Sequence, residues 1–591
     1  MRFPPICFGA STAALCALAL WTGETRFQAQ ASADLALING AVITVDPSDS
    51  IAQALVVTSG KVTAVGTTAE IKRHIGSATE VIDLGGRTVT PGLIDTHVHF
   101  SGADALFTID LGDPAIKTIE EVRRRVAQQV ARLKPGDWVR GRGWDEGKYA
   151  ERRYITAADL DLVAPNNPVW LTHTTGHYGV ANTYAMRMAA VRKDTKDPPA
   201  GTIDRDAAGA PTGVMKETAM RLVSRLVPPL SRDQLKQGLI KIIEDFNKEG
   251  MTGAKDPGIG QAKWELYQEL LREGRLTVRV FALWSGARGL EDRAEVLARA
   301  QANPRQAGLV SDGMLISGGV KMYMDGSGGA RTAWMYGDWN KNLTETDTGN
   351  TGYPSTPPEQ YRQMVTELHN AGVHVSTHAI GDRAIDWVVD TYDRALQSRP
   401  TRGLRHGIIH ANTPSDRAID VMARLQHDHD AAYPESSSTF MWWIGDNYAG
   451  NLGPQRNRRL KPFQTYVRKR VQWGGGSDYP VTPFAARYGL WASVARETLN
   501  GTYGATPFGT AESVDSRMAL RSYTLWAART MFLEDRIGSI EVGKEADLAV
   551  WDRNPYQVPT AALKDMRCEL TIVRGRVVYR AASSPPAAHQ P

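Results

Sequence analysis

The stretch TPGLIDTHVHF, Thr90 to Phe100, places His97 and His99 two positions apart behind a short apolar run. Side chains of a β-strand alternate between its faces, so residues i and i+2 point the same way. Two neutral imidazoles on one face can grip a single divalent cation. A surface strand that happens to carry two histidines has the same local pattern, so the rest of the chain must decide between these readings.

Four further apolar runs carry a residue able to bind a metal. Lys321 lies in ISGGVKMYMDG, His378 in AGVHVSTHAIGD, His410 closes HGIIH, and Asp478 follows WGGGS. His374 sits four residues before His378 and shares its strand face, and Gly381 marks the strand end, which puts His378 nearer the rim. Each residue alone has an ordinary explanation: a hydrogen-bonded histidine, a solvated edge lysine, a capping aspartate. Together they repeat one arrangement, because a barrel brings the C-terminal ends of its strands to one face. Lysine is the odd member. Its ammonium would be repelled by a cation, whereas a lysine carbamate is an anion, and a buried lysine loses its proton readily.

With 591 residues, 42% hydrophobic and 23% charged, the chain has soluble globular composition and room for more than one domain. A net charge of +5 on this length points to no nucleic-acid or membrane partner. The first residues differ. MRFPPICFGASTAALCALALW has an early Arg and an apolar run from Ala13 to Trp21, too short for a membrane span, and AQA ends at Ala31. This pattern predicts a signal peptide over 1–31 and export to the periplasm or medium, with an uncleaved anchor as the alternative. Cys7 and Cys16 fall inside that segment, which leaves Cys568 as the one thiol of the mature chain. A metal site must then be built from His, carboxylate and Lys.

From about 34 to 88, short β-rich runs alternate with Asn-Gly, Ser-Gly-Lys and Gly-Gly turns, and ADLAVWD and CELTIVRGRVVYR repeat the pattern near the other end. Between them, helical patterns alternate with short apolar strands, which favours an α/β fold, either a closed barrel or a doubly wound sheet. The span from His97 to Asp478 exceeds the roughly 250 residues of a barrel domain, so an insertion is expected over about 101–215. The tail ASSPPAAHQP reads as disordered.

These residues resemble the amidohydrolase superfamily of metal-dependent hydrolases, in its large-insert subfamily of N-substituted formamide deformylases. The resemblance is carried by PGLIDTHVH, GVKMYMDGSGGARTA, VSTHAIGDRAID, RHGIIHA, GGGSDYPV and RIGSIEVGKEADLAVWD, and spans nearly all of the chain. It implies a (β/α)8 TIM-like barrel over 90–529, with a small β-sandwich formed by both chain ends (32–89 and 530–580) and a disordered tail over 581–591. It also implies the metal ligands His97, His99, Lys321 (carboxylated), His378, His410 and Asp478, holding one or two divalent ions, with zinc expected. His177, in THTTGHYGVAN, matches a substrate-facing histidine, with Asp478 as the proton acceptor. His173 has no such match and is expected to be structural. Asp382 is expected to cap the following helix, and Asp325, Ser327 and Arg331 either line the pocket or stabilise a glycine-rich loop. Lys255, in GAKDPGIG, is a second lysine of the carbamate kind and ranks below Lys321. The segment YPESSSTFMWWIGDNY is expected to form a loop over the pocket, with Phe440, Trp442 and Trp443 as apolar walls. RNRRLKPFQTYVRKR is expected to be a solvated helix face.

The implied activity is hydrolysis of a non-peptide carbon–nitrogen bond (amide, N-acyl or N-formyl) in a small molecule. Hydrolysis of an ester, lactone or phosphoester by the same centre, and a fold-retaining binding or regulatory protein, are the alternatives. A homo-oligomer is compatible with this reading.

Overall fold

The computed structural model describes residues 33–287, 289–305, 313–339, 349–501 and 509–582. The expected signal peptide and most of the expected disordered tail lie outside the described residues. At the centre stand eight parallel strands: Leu93–Asp95, Met251–Ile259, Arg279–Ser285, Leu315–Tyr323, Val375–Ala379, Gly407–His410, Tyr433–Ser437 and Gly474–Gly476, here barrel strands 1 to 8. They neighbour one another in chain order, as expected for a barrel rather than a doubly wound sheet. Strands 1 and 8 meet through single contacts that close the ring: the Thr96 N–H donates to Gly475 O over 3.0 Å, and Ser477 Oγ donates to the Asp95 carboxylate over 2.5 Å.

Runs such as RVFALWS and VSTHA make strands because both faces are covered, so apolar and β-branched residues need not alternate with polar ones. Helices Arg232–Lys248 and Asp382–Ser398 pack outside, the first opened by a capping box between Ser231 and Gln234. Gly92 of PGLID has a specific job. A Cβ there would fall within 2.8 Å of three Thr252 side-chain atoms, so only glycine lets strand 1 approach strand 2.

Two small sheets form the terminal module. One joins Lys61–Gly66, Ala54–Thr58, Leu35–Ile38 and Glu80–Asp83. The other interleaves N-terminal strands with Leu548–Trp551, Cys568–Val573 and Arg576–Arg580. Val89 pairs with Val550, so the two chain ends share one ladder. Leu37, Val42, Leu55, Val89, Leu548, Val550 and Leu570 fill the space between the sheets. The insertion forms a six-stranded sheet between Ile109–Asp110 and Pro211–Glu217, reaching two residues past the expected bound at 215. No helix among the described residues is long and apolar enough to cross a membrane.

Arg279, fully buried at the start of barrel strand 3, donates to both Asp547 oxygens and to Glu545. This explains why GKEADLAVWD carries two acids before an apolar strand: they neutralise a buried guanidinium where the barrel meets the terminal module. Removing one partner of such a group leaves uncompensated buried charge. Arg279→Met should therefore destabilise the protein by about 3–5 kcal/mol, read as a lower urea midpoint. Adding Glu545→Gln and Asp547→Leu should recover part of that loss.

Candidate metal centre

At the C-terminal rim of the barrel, three predicted histidine ligands lie within 4 Å of a fourth predicted ligand, Asp478. His97 Nε2 lies 3.1 Å and His99 Nε2 3.4 Å from Asp478 Oδ1, and His410 Nε2 lies 3.9 Å from Asp478 Oδ2. His97, His410 and Asp478 are buried and offer ligand atoms all within 4.8 Å of one another. His378 joins them through Nδ1, 3.1 Å from His410 Nε2. His99 differs from its partner: it stands 46% exposed at the mouth, where His97 is buried. Both histidines follow strand 1 rather than lying in it, and the Asp95 carboxylate sets their course by accepting the His97 N–H. Burial raises the Asp95 pKa to about 7 despite these bonds. Lys321 is buried on strand 4, close enough that its charge bears on His97, His378 and His410.

The strand ends that aim these ligands are strained. His410, Ala411 and Asp478 have φ of 70°, 44° and 58°, unusual for residues with a Cβ. The His410 carbonyl is held in place by Lys461 Nζ at 2.8 Å and Ser436 Oγ at 3.2 Å. Lys461 thus departs from the expected solvated face. It is fully buried, because a strained carbonyl beneath the site needs a donor, while the neighbouring Arg468 and Lys469 do stay exposed.

Burial, followed by the Lys321 charge, lowers the His97 pKa to about 3, and burial drives His378 and His410 well below the ordinary imidazole value. All three rings are neutral. His378 Nε2 donates to Gly326 O over 2.8 Å, so its Nδ1 carries the lone pair. His410 Nδ1 faces Ser437 Oγ at 3.3 Å, the partner that turns its Nε2 inward. His410 Nε2 can donate to the His378 Nδ1 lone pair across 3.1 Å when Ser437 Oγ donates to His410 Nδ1, and the other His410 tautomer turns both lone pairs toward a cation. Asp478 Oδ1 is buried, and the nearby His97 and His99 nitrogens make no well-formed hydrogen bond to it. Burial alone would raise the Asp478 pKa, but His410 and His97 hold it well below the usual carboxylate range. Neutral imidazoles and a buried carboxylate fit a divalent cation, whereas an ammonium at Lys321 does not.

His177 comes from the insertion and packs its ring 5.2 Å from that of His378. His173 lies apart, stacked on Tyr178 and 3.2 Å from Glu146. With Asp145 these residues form a second buried group with metal-ligand chemistry. Tyr178 and Asn447 already hydrogen-bond to Glu146, so the group ties the insertion to the barrel, in keeping with the structural role expected of His173. Lys255 lies one layer below the ligands, paired with Glu435 at 2.6 Å and bonded to Ser376. Asp325 accepts from the backbone of Trp334, Ile380 and Gly381 and stands 3.7 Å from His378, a loop anchor beside a ligand. Arg331 and Ser327 are buried in the same loop. Asp382 opens its helix from the first turn, after Gly381 at the cap, because its carboxylate accepts from the Tyr336 and Arg383 N–H groups. The segment expected to be a loop starts as barrel strand 7 and continues as helices Phe440–Trp443 and Gly445–Asn457. Of its aromatics, Phe440 stacks on His410 at 5.4 Å, and Trp443 lines a cleft of about 280 Å3 with Arg142, Tyr479 and Phe484.

Glu217 was not singled out in the sequence. Its Oε1 and Oε2 lie 3.0 and 3.1 Å from His177 Nδ1. Forty residues separate the two, and they meet because Tyr178 pairs with Lys216 in the insertion sheet. Knowledge of that pairing was the one signal that could have found Glu217.

The amidohydrolase family model matches residues 80–579. The chain is 29% identical to the N-substituted formamide deformylase of Arthrobacter pascens, covering 93% of this chain and 99% of that one. It is 27% identical to the putative amidohydrolase YtcJ of Bacillus subtilis, covering 89% and 96%, and 28% identical to the protein LONG AFTER FAR-RED 3 of Arabidopsis thaliana, covering 93% and 92%. Among solved structures, an uncharacterized metal-dependent hydrolase from Pyrococcus horikoshii superposes with a TM-score of 0.68 at 24% identity, covering 89% of this chain and 99% of that one.

If the rim holds a cation, His97→Ala should lower bound metal to well under one ion per chain by elemental analysis. Ser437→Ala removes only the partner of His410 Nδ1. It should weaken metal binding by about 10–100-fold, measured by chelator competition.

Proposed function

Since this chain belongs to the amidohydrolase family, and so is a hydrolase, we propose that it hydrolyses a non-peptide carbon–nitrogen bond of a small molecule at the barrel rim, with His97, His99, Lys321, His378, His410 and Asp478 holding one or two divalent ions, zinc by preference. The observation that carries this reading is the convergence of His97, His410 and Asp478, with Asp478 Oδ1 buried in no well-formed hydrogen bond. A divalent ion bound there would supply Lewis acidity toward a carbonyl oxygen and a water acidic enough to react near neutral pH.

The chain's own residues do the rest. Asp478, kept ionised beside His97 and His410, accepts the proton of the attacking water as the C–O bond forms. As the C–N bond breaks, the same carboxyl returns that proton to the departing nitrogen, which would otherwise leave as an amine anion. His177 borders the pocket from the insertion and contacts the substrate. Phe440, against His410, walls off water on one side. Lys321 acts as a carbamate: its ammonium gives up one proton, the free Nζ adds to carbon dioxide and releases a second, and a repelled cation becomes an anion with two oxygen donors. The printed activity of the Arthrobacter pascens relative supports a formamide or related amide as the substrate. The N-terminal pattern supports export, and mature protein recovered from its source should begin near Ser32 by N-terminal sequencing.

Turnover by metal-loaded protein on a panel of amides, N-formyl amines and esters tests the reading, and activity on esters alone would overturn the C–N assignment. Lys321→Arg keeps a positive charge but cannot form a carbamate. It should lose both bound metal and turnover. Wild-type metal content and rate in that variant would remove the carbamate from the mechanism.

A further inference from the structure

The cleft that Trp443 lines has a volume of about 280 Å3 and lies between the insertion and the segments that follow barrel strands 7 and 8. It begins beside the metal centre. Tyr479, the residue after Asp478, lines it, and the Tyr479 carbonyl accepts the His99 N–H over 2.8 Å. Its apolar walls are three half-buried aromatic side chains, Trp443, Tyr479 and Phe484. Each is braced by a neighbour. Lys148 Nζ sits 4.0 Å from the centre of the Trp443 ring, Phe484 stacks on Phe246 at 4.8 Å, and Tyr479 packs edge-on against Phe484 at 5.3 Å. Half-buried rings held around a cavity present apolar surface to water, and a ligand group of matching shape gains by covering it.

Position and charge decide which end of a substrate belongs there. Asp478 returns its proton to the departing nitrogen, and the cleft opens at the very next residue, so the nitrogen side faces it. Asp104, Asp110 and Asp113 line the cleft with one guanidinium, Arg142. Arg142 is taken up by Asp104 at 3.4 Å and Asp113 by Arg125 at 3.0 Å, which leaves the lining acidic. A carboxylate in the cleft would meet like charge. The departing amine changes the other way. It leaves with the proton from Asp478 and, with a pKa near the 10.4 or so of a lysine, takes a second from water to become an ammonium. We infer that the cleft is the subsite for the substituent on the departing nitrogen, and that it selects apolar, aryl-sized substituents and rejects those carrying a carboxylate. This rests on the proposed hydrolysis and deepens it: the substrates are amides of simple apolar amines rather than N-acyl amino acids.

The test uses metal-loaded full-length protein and a matched set of formamides: N-methylformamide, N-phenethylformamide and N-formylphenylalanine, which adds one carboxylate to the second. Wild-type kcat/KM should favour the phenethyl compound over each of the others by about tenfold or more, the scale on which an apolar pocket and a like-charge contact discriminate. Trp443→Ala should lose the preference for the large substituent through a raised KM, with bound metal unchanged, and Phe484→Ala, in a separate loop, should do the same. Asp104→Asn should narrow the gap between the phenethyl compound and N-formylphenylalanine. A methyl compound turned over as fast as the phenethyl one, a size preference that survives both aromatic variants, or N-formylphenylalanine as the better substrate overturns the inference. Calorimetric titration with phenethylamine reads the cleft without turnover. The amine should bind wild-type protein about tenfold or more tightly than methylamine does, and Trp443→Ala should erase the difference. If wild-type protein hydrolyses none of the set, the hydrolysis reading falls and the titration alone decides the cleft: a difference erased by Trp443→Ala upholds it, and equal binding of the two amines overturns it.

Discussion

Two imidazole nitrogens 3.1 Å apart, His378 Nδ1 and His410 Nε2, set the terms for everything around them. Each ring is locked from behind, His378 by a backbone carbonyl and His410 by a serine hydroxyl. Each is neutral because burial makes the imidazolium costly. Left alone the pair shares one proton, beside a buried carboxylate oxygen that makes no well-formed hydrogen bond, an arrangement that a folded protein tolerates only where the surrounding structure over-determines it. The strained turns at His410 and Asp478 have the same logic. The barrel spends stability to place donors for a charge that the chain itself does not carry.

The barrel supplies what such an arrangement needs, which is rigidity from many directions. Strands far apart in sequence end at one rim, where strand 1 leads into two candidate ligands and strands 4, 5, 6 and 8 bring one each. Below the rim the charges are settled among protein groups. Lys255 is matched by Glu435, and Arg279 by Asp547 and Glu545. The two lysines of the barrel interior thus divide clearly. Lys255 has a carboxylate at 2.6 Å and is a structural ion pair. Lys321 lies one layer higher, among imidazoles whose basicity its charge depresses.

The residues that the sequence revealed were those tied to a repeating local pattern. Apolar runs carrying His, Lys or Asp near their ends announced the barrel and the side chains that its rim gathers, because a strand end is a local feature. Glycine-punctuated β-runs at both ends announced the terminal module for the same reason. What stayed hidden depends on pairings between distant segments. Glu217 is an unremarkable strand-end acid until Tyr178 is paired with Lys216. Lys461 sits in a run of cations that reads as solvated, and only the strained carbonyl of His410 explains its burial. Asp95 lies inside the motif that opened the reading, yet its work, joining strand 1 to strand 8, depends on the closure of the ring. The aromatic segment misled because composition cannot distinguish a loop from short helices carrying the same side chains.

The division of labour between barrel and insertion follows from how firmly the two are joined. His177 can act on a substrate at the rim only if the insertion sheet holds a fixed distance from it. Three polar ties provide that. Thr332 reaches Glu217 from the glycine-rich loop, Thr174 Oγ1 donates to Val481 O just past Asp478, and Asn447 bonds to Glu146. Asn451 extends the last of these to the carbonyls of Gly328 and Gly329, in the loop that follows Asp325. The ties through Thr174, Asn447 and Asn451 are buried and that through Thr332 is partly so, where a hydrogen bond is worth more and a broken one costs more than at the surface. The insertion is therefore fastened at the edge of the metal site itself, beside strands 4, 7 and 8. A mobile lid would concentrate its contacts at a distant hinge. This fastening fits a pocket whose shape is set before the substrate arrives, with selectivity resting on the fixed direction of groups such as His177.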